Sequence, residues 1–514
     1  MIERLIIVGL INSTEFIQQV RATWDHSLIG STNLQRIAYW CIEYYDEYNK
    51  APGRTLDDIY YDKRDSGDIP KDRVESLEED LIDLAEEYDE TFNLRYALDR
   101  AGKYLRKRHL ELHQEKVQEL LDAGEEDASI ELASTYRGHT SVPEDVLDLS
   151  DTSTLLKVEN LFTGLCTPLL EYPGALGKML NDKMVRGAFV SLMAAEKRGK
   201  SFWLLDMAVR ATQKRSKVAF FQAGDMTEDQ QLKRICSYLT KKPSSDRYVG
   251  TIYVPVADCL RNQLDGCDKD ERQGNVAAFD GGEFELDDIR KKLNREDLLE
   301  AYLNYGDDYI PCTNCDEFKE KPLGVPWLRP VTVKEAITVE ESKRKIKQFF
   351  IEKKRRFRIS THPNNTLTVS TIKNICNSWE RIDGFIPDVI VIDYADLLVA
   401  EQTKEFRHAQ NEIWKNLRAL SQYRHCLVLT ATQADAKSYE KDLLGMTNYS
   451  EDKRKYAHVT AMFGLNQDKN GREKKMGVMR FNELVVREGE FDSTGTVTVL
   501  QNLNLGRPFV DCFI

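Results

Sequence analysis

An apolar, strand-like run (Phe189, Val190, Ser191, Leu192, Met193) leads into Ala194-Ala195-Glu196-Lys197-Arg198-Gly199-Lys200-Ser201. A helix-like run then opens at Phe202 and continues through Trp203, Leu204, Leu205, Met207 and Ala208. Strand, loop and helix with G-x4-G-K-[ST] spacing is the context a Walker A phosphate loop requires, with Ala194 standing where glycine is usual. The chemistry on offer is anion binding. Backbone N–H groups of the loop aim at phosphate oxygens, and the helix N-terminus adds a favourable potential. In such a site Lys200 reaches the β- and γ-phosphates of ATP, Ser201 binds Mg2+, and residues 194–202, Ala194 to Phe202, enclose the nucleotide. Gly-Lys-Ser also occurs in ordinary loops, so the motif needs partners elsewhere in the chain.

Three further segments offer them. Val389-Ile390-Val391-Ile392-Asp393 reads as a buried parallel strand with a carboxylate at its C-terminal tip. Ligands of open α/β sheets bind at such tips, and a Walker B aspartate there holds Mg2+. A strand-ending aspartate can equally cap a turn, but following Lys200-Ser201 in one domain it forms the second part of one site. Val218 to Ala223 followed by Gly224-Asp225 is a second buried strand with an acid at its end, and Thr227 with Gln230 makes a capping box for the next helix. Asp225 would polarise the attacking water. Gln433 closes Cys426-Leu427-Val428-Leu429-Thr430-Ala431-Thr432 and is placed to sense the γ-phosphate.

The elements that must position these residues follow from periodicity. Residues 1–135 read as an all-α N-terminal domain, with apolar positions such as Leu34, Ile37, Ala38 and Cys41 at helical spacing and a Glu/Leu/Lys/Arg-rich stretch from Val74 to Leu121. The run Arg106-Lys107-Arg108 reads as a solvated helix face. Residues 136–172 read as a linker with a short helix near Thr154 to Phe162. Residues 173–514 alternate short apolar runs with helices, the pattern of an α/β domain with a mostly parallel sheet. The expected strands are Phe189–Met193, Lys217–Gln222, Thr251–Val256, Arg358–Ser360, Val389–Ile392, Cys426–Thr430, Val459–Phe463, Phe481–Val486 and Thr496–Gln501.

Bulk properties bound the class. At 514 residues, two or three domains are expected. The chain is 41% hydrophobic and 31% charged, with a mean hydropathy of −0.50, which excludes wholesale disorder. The longest N-terminal apolar run, Leu5 to Ile11, is too short to span a bilayer, and a cytoplasmic protein is expected. The net charge of −13 argues against a broadly basic surface but leaves room for a narrow basic channel. The ten cysteines suit free thiols or metal ligands. Within a segment at 257–330, Cys259, Cys267, Cys312 and Cys315 include a C-x2-C pair, and a structural Zn2+ on these four thiolates is one expectation, free thiols the other. The basic run Lys343 to Arg356, interleaved with Ile346, Phe349, Phe350 and Ile351, reads as an amphipathic helix on the sheet.

The order AAEKRGKS, FFQAGDM, VIVIDYADLL, LTATQAD and LVVREG resembles the motor domain of DnaB-like replicative helicases, whose core is RecA-like. The helical N-terminal domain is similar to theirs. The resemblance implies a P-loop NTPase that hydrolyses ATP with Mg2+, translocates on single-stranded DNA at a fork as a homo-hexamer, and works with a primase or loader. It implies an arginine supplied to the neighbouring subunit's nucleotide, matched by Arg487, beside a lysine for which Val485 stands; Arg480 would have to substitute. It also implies DNA-contacting loops after the strand that ends in Asp393, carrying Lys404 and Arg407, and after the strand that ends in Gln433, carrying Lys437, Lys441, Lys453, Arg454 and Lys455. That family accepts Ala at the Ala194 position. This chain departs from it at Asp225, where Glu is preferred, at Asp396, which takes the place of Gln and rivals Asp225 as base, and at Glu196, an acid within the phosphate loop. Such divergence suits a phage or prophage origin. Two other readings share the core: a recombinase-like DNA-dependent ATPase, and a low-turnover ATP-binding loader or assembly protein.

Overall fold

The computed structural model describes residues 2–21, 24–87, 92–135, 167–224, 226–268, 274, 276–279, 293–315, 318, 322–401, 406–435, 438, 441–445, 453–492 and 494–514. The chain forms two compact units, Met1–Leu165 with Trp379–Gly384, and Cys166–Ser378 with Phe385–Ile514.

The first unit is all-α: α1 (Ile2–Asn12), α2 (Thr14–Arg21), α3 (Thr32–Tyr48), α4 (Thr55–Asp65), α5 (Val74–Glu87), α6 (Leu94–Asp122) and α7 (Glu126–Thr135). Its core gathers the periodic apolar positions, including Ile6, Leu10, Phe16, Ile37, Trp40, Ala101 and Leu105. Gly9 permits the tight contact of α1 with α2, since a Cβ there would lie 2.8 Å from the Phe16 ring. Ser31 caps α3 at its start, and Asn49, in the left-handed region at φ 53°, ends it. In the charged stretch of α6 Lys107 is exposed while Arg106 and Arg108 are half-buried, and Lys107 and Arg108 each lie 3.3 Å from Glu111. Exposed pairs of this kind add little stability. The helix expected near Thr154 to Phe162 lies outside the described residues.

The second unit runs α8 (Gly174–Leu180), β1 (Phe189–Ala194), α9 (Lys200–Gln213), β2 (Val218–Ala223), α10 (Glu228–Thr240), β3 (Gly250–Cys259), α11 (Leu260–Gln263), α12 (Arg295–Tyr305), β4 (Gly324–Val333), α13 (Val339–Ile346), β5 (Phe357–His362) and α14 (Val369–Asp383), the last turn of α14 from Trp379 being counted with the first unit. It continues with β6 (Val389–Asp393), α15 (Phe406–Tyr423), β7 (Leu427–Gln433), β8 (Ala461–Asn466), α16 (Arg472–Met476), β9 (Val478–Val486), β10 (Thr496–Asn502) and β11 (Arg507–Phe513). Nine strands form one sheet in the order β11-β10-β9-β8-β1-β7-β6-β2-β5. From β8 to β5 neighbouring strands are parallel, and β9, β10 and β11 extend the sheet antiparallel. Every residue of β1, β2, β6 and β8 is buried. Helices cover both faces of a parallel sheet, which is why these strands read as continuous apolar runs. The expected α/β fold with a mostly parallel sheet, preceded by an all-α domain, is therefore observed.

All nine expected strands are present, but Thr251–Val256 belongs elsewhere. It is part of β3, which pairs antiparallel with β4 over ten residue pairs in a separate two-stranded sheet. β4 and β11 escaped the sequence reading. Pro326 and Pro330 interrupt the β4 run, and such prolines survive only where a strand has a free edge. β11 opens on Arg507-Pro508 at the outer edge of the main sheet. Leu260, Leu298, Tyr309 and Trp327 pack together and on Met476, Val478, Leu500 and Phe513 from the antiparallel end of the main sheet. The Lys343–Arg356 stretch is helical as far as Ile351 but packs mainly on helices: Ile346, Phe349 and Phe350 meet Leu205 and Val209 of α9 and Ile235 and Tyr238 of α10, with Phe357 and Ile359 of β5 alongside, and Ile351 is exposed.

Candidate functional site

Parallel pairing fixes the tips of β1, β7, β6 and β2 along one edge of the sheet. In register, Ala194 lies beside Gln433, and Gln222 beside Asp393. The loop from Ala195 to Gly199 turns at Lys197 (φ 60°) and Gly199 (φ 86°) before α9 begins at Lys200. Gly199 is favoured by its left-handed backbone, and a Cβ there would sit 3.3 Å from Leu503 Cδ1, so that side chain would have to shift slightly. Asp206 anchors α9 from behind, accepting the Tyr172 hydroxyl at 2.6 Å, the Tyr238 hydroxyl at 2.8 Å and Arg210 Nε at 2.8 Å.

Two separate sequence motifs meet here. Ser201 Oγ donates to Asp393 Oδ1 at 2.9 Å, and Asp393 is fully buried. Lys200 is also buried. Its ammonium donates to the Ala194 carbonyl at 3.0 Å and the Ala195 carbonyl at 3.3 Å, and lies 5.6 Å from the centroid of the Tyr394 ring. A hydroxyl and a carboxylate in contact, with no thiolate or imidazole in the pair, fit a hard cation such as Mg2+, which fills its remaining positions with water and phosphate oxygens. The arrangement can hold a phosphate chain and its counter-ion. The Glu196 side chain is 58% exposed, and its carboxylate lies 3.6 Å from the Lys197 ammonium. Phe202 lies under the Arg234 guanidinium at 4.3 Å. Asp225 lies outside the described residues.

Asp396, the rival base, is committed elsewhere. Its carboxylate accepts the Thr432 hydroxyl at 2.8 and 3.0 Å, the Gln433 N–H at 2.8 Å and the Lys455 ammonium at 2.7 Å. This corrects the reading of Lys455 as a DNA contact, because its side chain is fully buried in that ion pair. Lys441 is exposed. Lys404 and Lys437 lie outside the described residues, as do the side chains of Arg407, Lys453 and Arg454.

Arg487 sits at the other edge of the sheet. β9 runs antiparallel to β8, with Val486 opposite Ala461 and Arg480 opposite Asn466. Arg487 N donates to Thr460 O at 3.0 Å, and its guanidinium donates to the Ala457 carbonyl. The five steps of β1 from Phe189 to Ala194 separate the two edges by about 17 Å, beyond the reach of an arginine side chain. Arg487 therefore cannot serve the phosphate loop of its own chain. Arg480 cannot stand beside it either. It lies at the phosphate-loop edge and pairs with Glu473 at 2.8 Å.

The four-cysteine zinc expectation finds no support. Among the described residues no three His, Cys, Asp or Glu side chains form a metal-binding group. Cys259 and Cys312 are buried, Cys267 and Cys315 half-buried, all as free thiols. The turn that follows β8 was not anticipated. Arg198 donates to Gln467 Oε1 at 3.1 Å and to the Asp468 carbonyl at 3.5 Å, and the Lys474 ammonium reaches the Lys197 carbonyl at 3.4 Å. No motif marks Gln467 or Asp468; only the β1–β8 pairing brings them to the loop. His362 at the tip of β5 was missed for the same reason. It bonds Ser360 at 2.8 Å and stacks on Phe221.

Comparison of the sequence with family models and with curated proteins finds no match. Among solved structures the chain is similar to one described as a DnaB-like replicative helicase with its interactions with primase, at a TM-score of 0.44 and 11% identity over 98% of each chain. It is also similar to a second solved structure, described as an ATPase domain, at a TM-score of 0.43 and 12% identity over 72% of this chain and 99% of that one. Overlap at this level assigns neither activity nor partner to this chain.

Proposed function

We propose that the protein is an ATP-dependent DNA helicase motor of DnaB-like type, acting as a ring hexamer on single-stranded DNA at a fork, in the cytoplasm and with a primase or loader as partner. The observation that carries the reading is the Ser201–Asp393 contact of 2.9 Å beside buried Lys200, at the carboxyl edge of a parallel sheet. Two motifs 192 residues apart meet there as a phosphate-binding ATPase requires. Phosphoryl transfer of this kind is positioning plus charge stabilisation. Lys200 leaves the loop carbonyls for the β- and γ-phosphates. Ser201 and Asp393 would hold Mg2+, which would supply neutralisation of phosphate charge. Asp225 orients the attacking water, and Asp396 is excluded from that task by its three donors. Gln433 reports on the γ-phosphate. Arg487 serves the nucleotide of the next subunit, the assignment its distance from its own loop favours. Lys404, Arg407, Lys437, Lys441, Lys453 and Arg454 are the DNA contacts of this reading, holding the backbone without base readout.

Unwinding of a forked duplex by the purified chain with ATP tests the proposal, with Lys200→Ala as the inactive control. ATP binding and oligomerisation with hydrolysis indifferent to single-stranded DNA would point instead to a loader or assembly protein. Filaments in place of rings in electron micrographs would point to a recombinase-like ATPase.

A further inference from the structure

An ion pair between fully buried Lys455 and largely buried Asp396 lies beside the proposed phosphate sensor. Asp396 follows β6 by three residues, and Lys455 lies in the short turn Lys453–Ala457 that precedes β8. The Lys455 ammonium is 2.7 Å from Asp396 Oδ1, and its side chain is fully buried, with the Trp414 ring centroid 5.5 Å away. Asp396 Oδ2 in turn accepts the backbone N–H of Gln433 at 2.8 Å, and the Thr432 hydroxyl bridges both oxygens. A second cross-link runs alongside. Thr430 Oγ1 donates to Ile392 O at 2.9 Å and accepts the Ala395 N–H at 3.0 Å. The tips of β6 and β7, which carry Asp393 and Gln433, are thereby tied to one another and to the chain that leads into β8.

Burying two charges is a poor way to gain stability, since an apolar pair of the same volume does as well or better. What the pair supplies is a fixed position. From this we infer that Asp396 and Lys455 are positioning residues: they set the Gln433 tip and transmit to it the state of the segment between β7 and β8. The inference rests on the helicase reading, in which that segment meets DNA and Gln433 meets the γ-phosphate. Lys455 then acts on hydrolysis without touching either ligand.

The test is steady-state ATP hydrolysis by the full chain, with and without oligo-dT, in the wild type, Lys455→Met, Lys455→Arg and the double variant Asp396→Asn/Lys455→Met. The double variant removes both charges together, so it remains informative if Lys455→Met alone fails to fold. The expected result is KM for ATP within about twofold of wild type, a loss of at least about fivefold in stimulation by oligo-dT for Lys455→Met and the double variant, and recovery of most of it in Lys455→Arg. A merely structural pair would change the thermal midpoint and leave the stimulation ratio intact, and that outcome overturns the inference. A wild type whose hydrolysis ignores oligo-dT overturns the helicase reading itself, and the inference with it.

Discussion

β3 and β6 each carry a fully buried aspartate near the C-terminal end, Asp258 and Asp393, and the surroundings of the two differ. Asp258 is a staple. Its Oδ1 accepts the Cys259 N–H and the Cys312 N–H, each at 2.8 Å, and Asn262 Nδ2 at 3.2 Å, while Oδ2 accepts the Tyr309 hydroxyl at 2.6 Å. These donors span some fifty residues, and they close the chain between β3 and β4 where a zinc ion had been expected to close it. Burial alone pushes the Asp258 carboxyl up, against the pull of those hydrogen bonds. Asp393 instead meets the hydroxyl of Ser201, itself the first-turn residue of the helix that follows the phosphate loop. Burial of an acid therefore says little about function. The donors around it separate a carboxylate committed to the fold from one presented to a ligand.

The largest effect that separates the two is on hydrolysis. Asp393→Asn is expected to lower kcat for ATP by at least about a hundredfold, whereas Asp258→Asn leaves the rate per folded molecule within about twofold; steady-state ATPase assays on both variants decide it. Equal losses would dissolve the distinction. Next comes the opposite edge of the sheet. Arg487→Ala is expected to cut kcat roughly tenfold to a hundredfold with ATP affinity held. Mixing it with Lys200→Ala subunits should recover part of the rate, because some interfaces then pair an intact Lys200 with an intact Arg487.

Stability reverses the ranking of the two aspartates. Asp258→Asn is expected to cost about 1–3 kcal/mol in denaturant unfolding, because an amide nitrogen replaces the oxygen that accepts the Tyr309 hydroxyl. A smaller effect is expected at the tip of β5. Burial pulls the His362 imidazole below its ordinary 6.5. The folded protein then binds fewer protons there than the unfolded chain, so this contribution is present above pH 6.5 and is lost as pH falls through the lower folded value. His362→Phe should flatten the fall in thermal midpoint between about pH 7 and pH 5 relative to wild type. The smallest expected effect is none. Prolonged chelation should leave the melting of the wild type unchanged, whereas a drop would restore zinc to the four cysteines.

Much of the second unit was legible in the sequence, because a parallel sheet covered on both faces writes itself as short apolar runs. Phe189–Ala194, Val218–Ala223 and Val389–Asp393 are such runs, and the glycine, lysine, serine and aspartate at their ends are local signals. β4 and β11 were not legible, since prolines and a one-sided partner mask an edge strand. The role of Lys455 was invisible for another reason. A lysine in a charged loop reads as solvated, and nothing near it in sequence announces that Asp396, fifty-nine residues earlier, takes it into the interior.

By itself, then, the sequence determined the element types, the order of the motifs and the residues able to hold a phosphate, because propensity, periodicity and loop chemistry are properties of neighbours. The tertiary structure decided which of those residues meet. It brought Ser201 to Asp393, withdrew Asp396 and Lys455 into a pair, set Arg487 at the far edge from its own phosphate loop, and stapled the β3–β4 region through Asp258. Each of these depends on strand register and on burial, which arise only when segments distant in the chain are packed against one another.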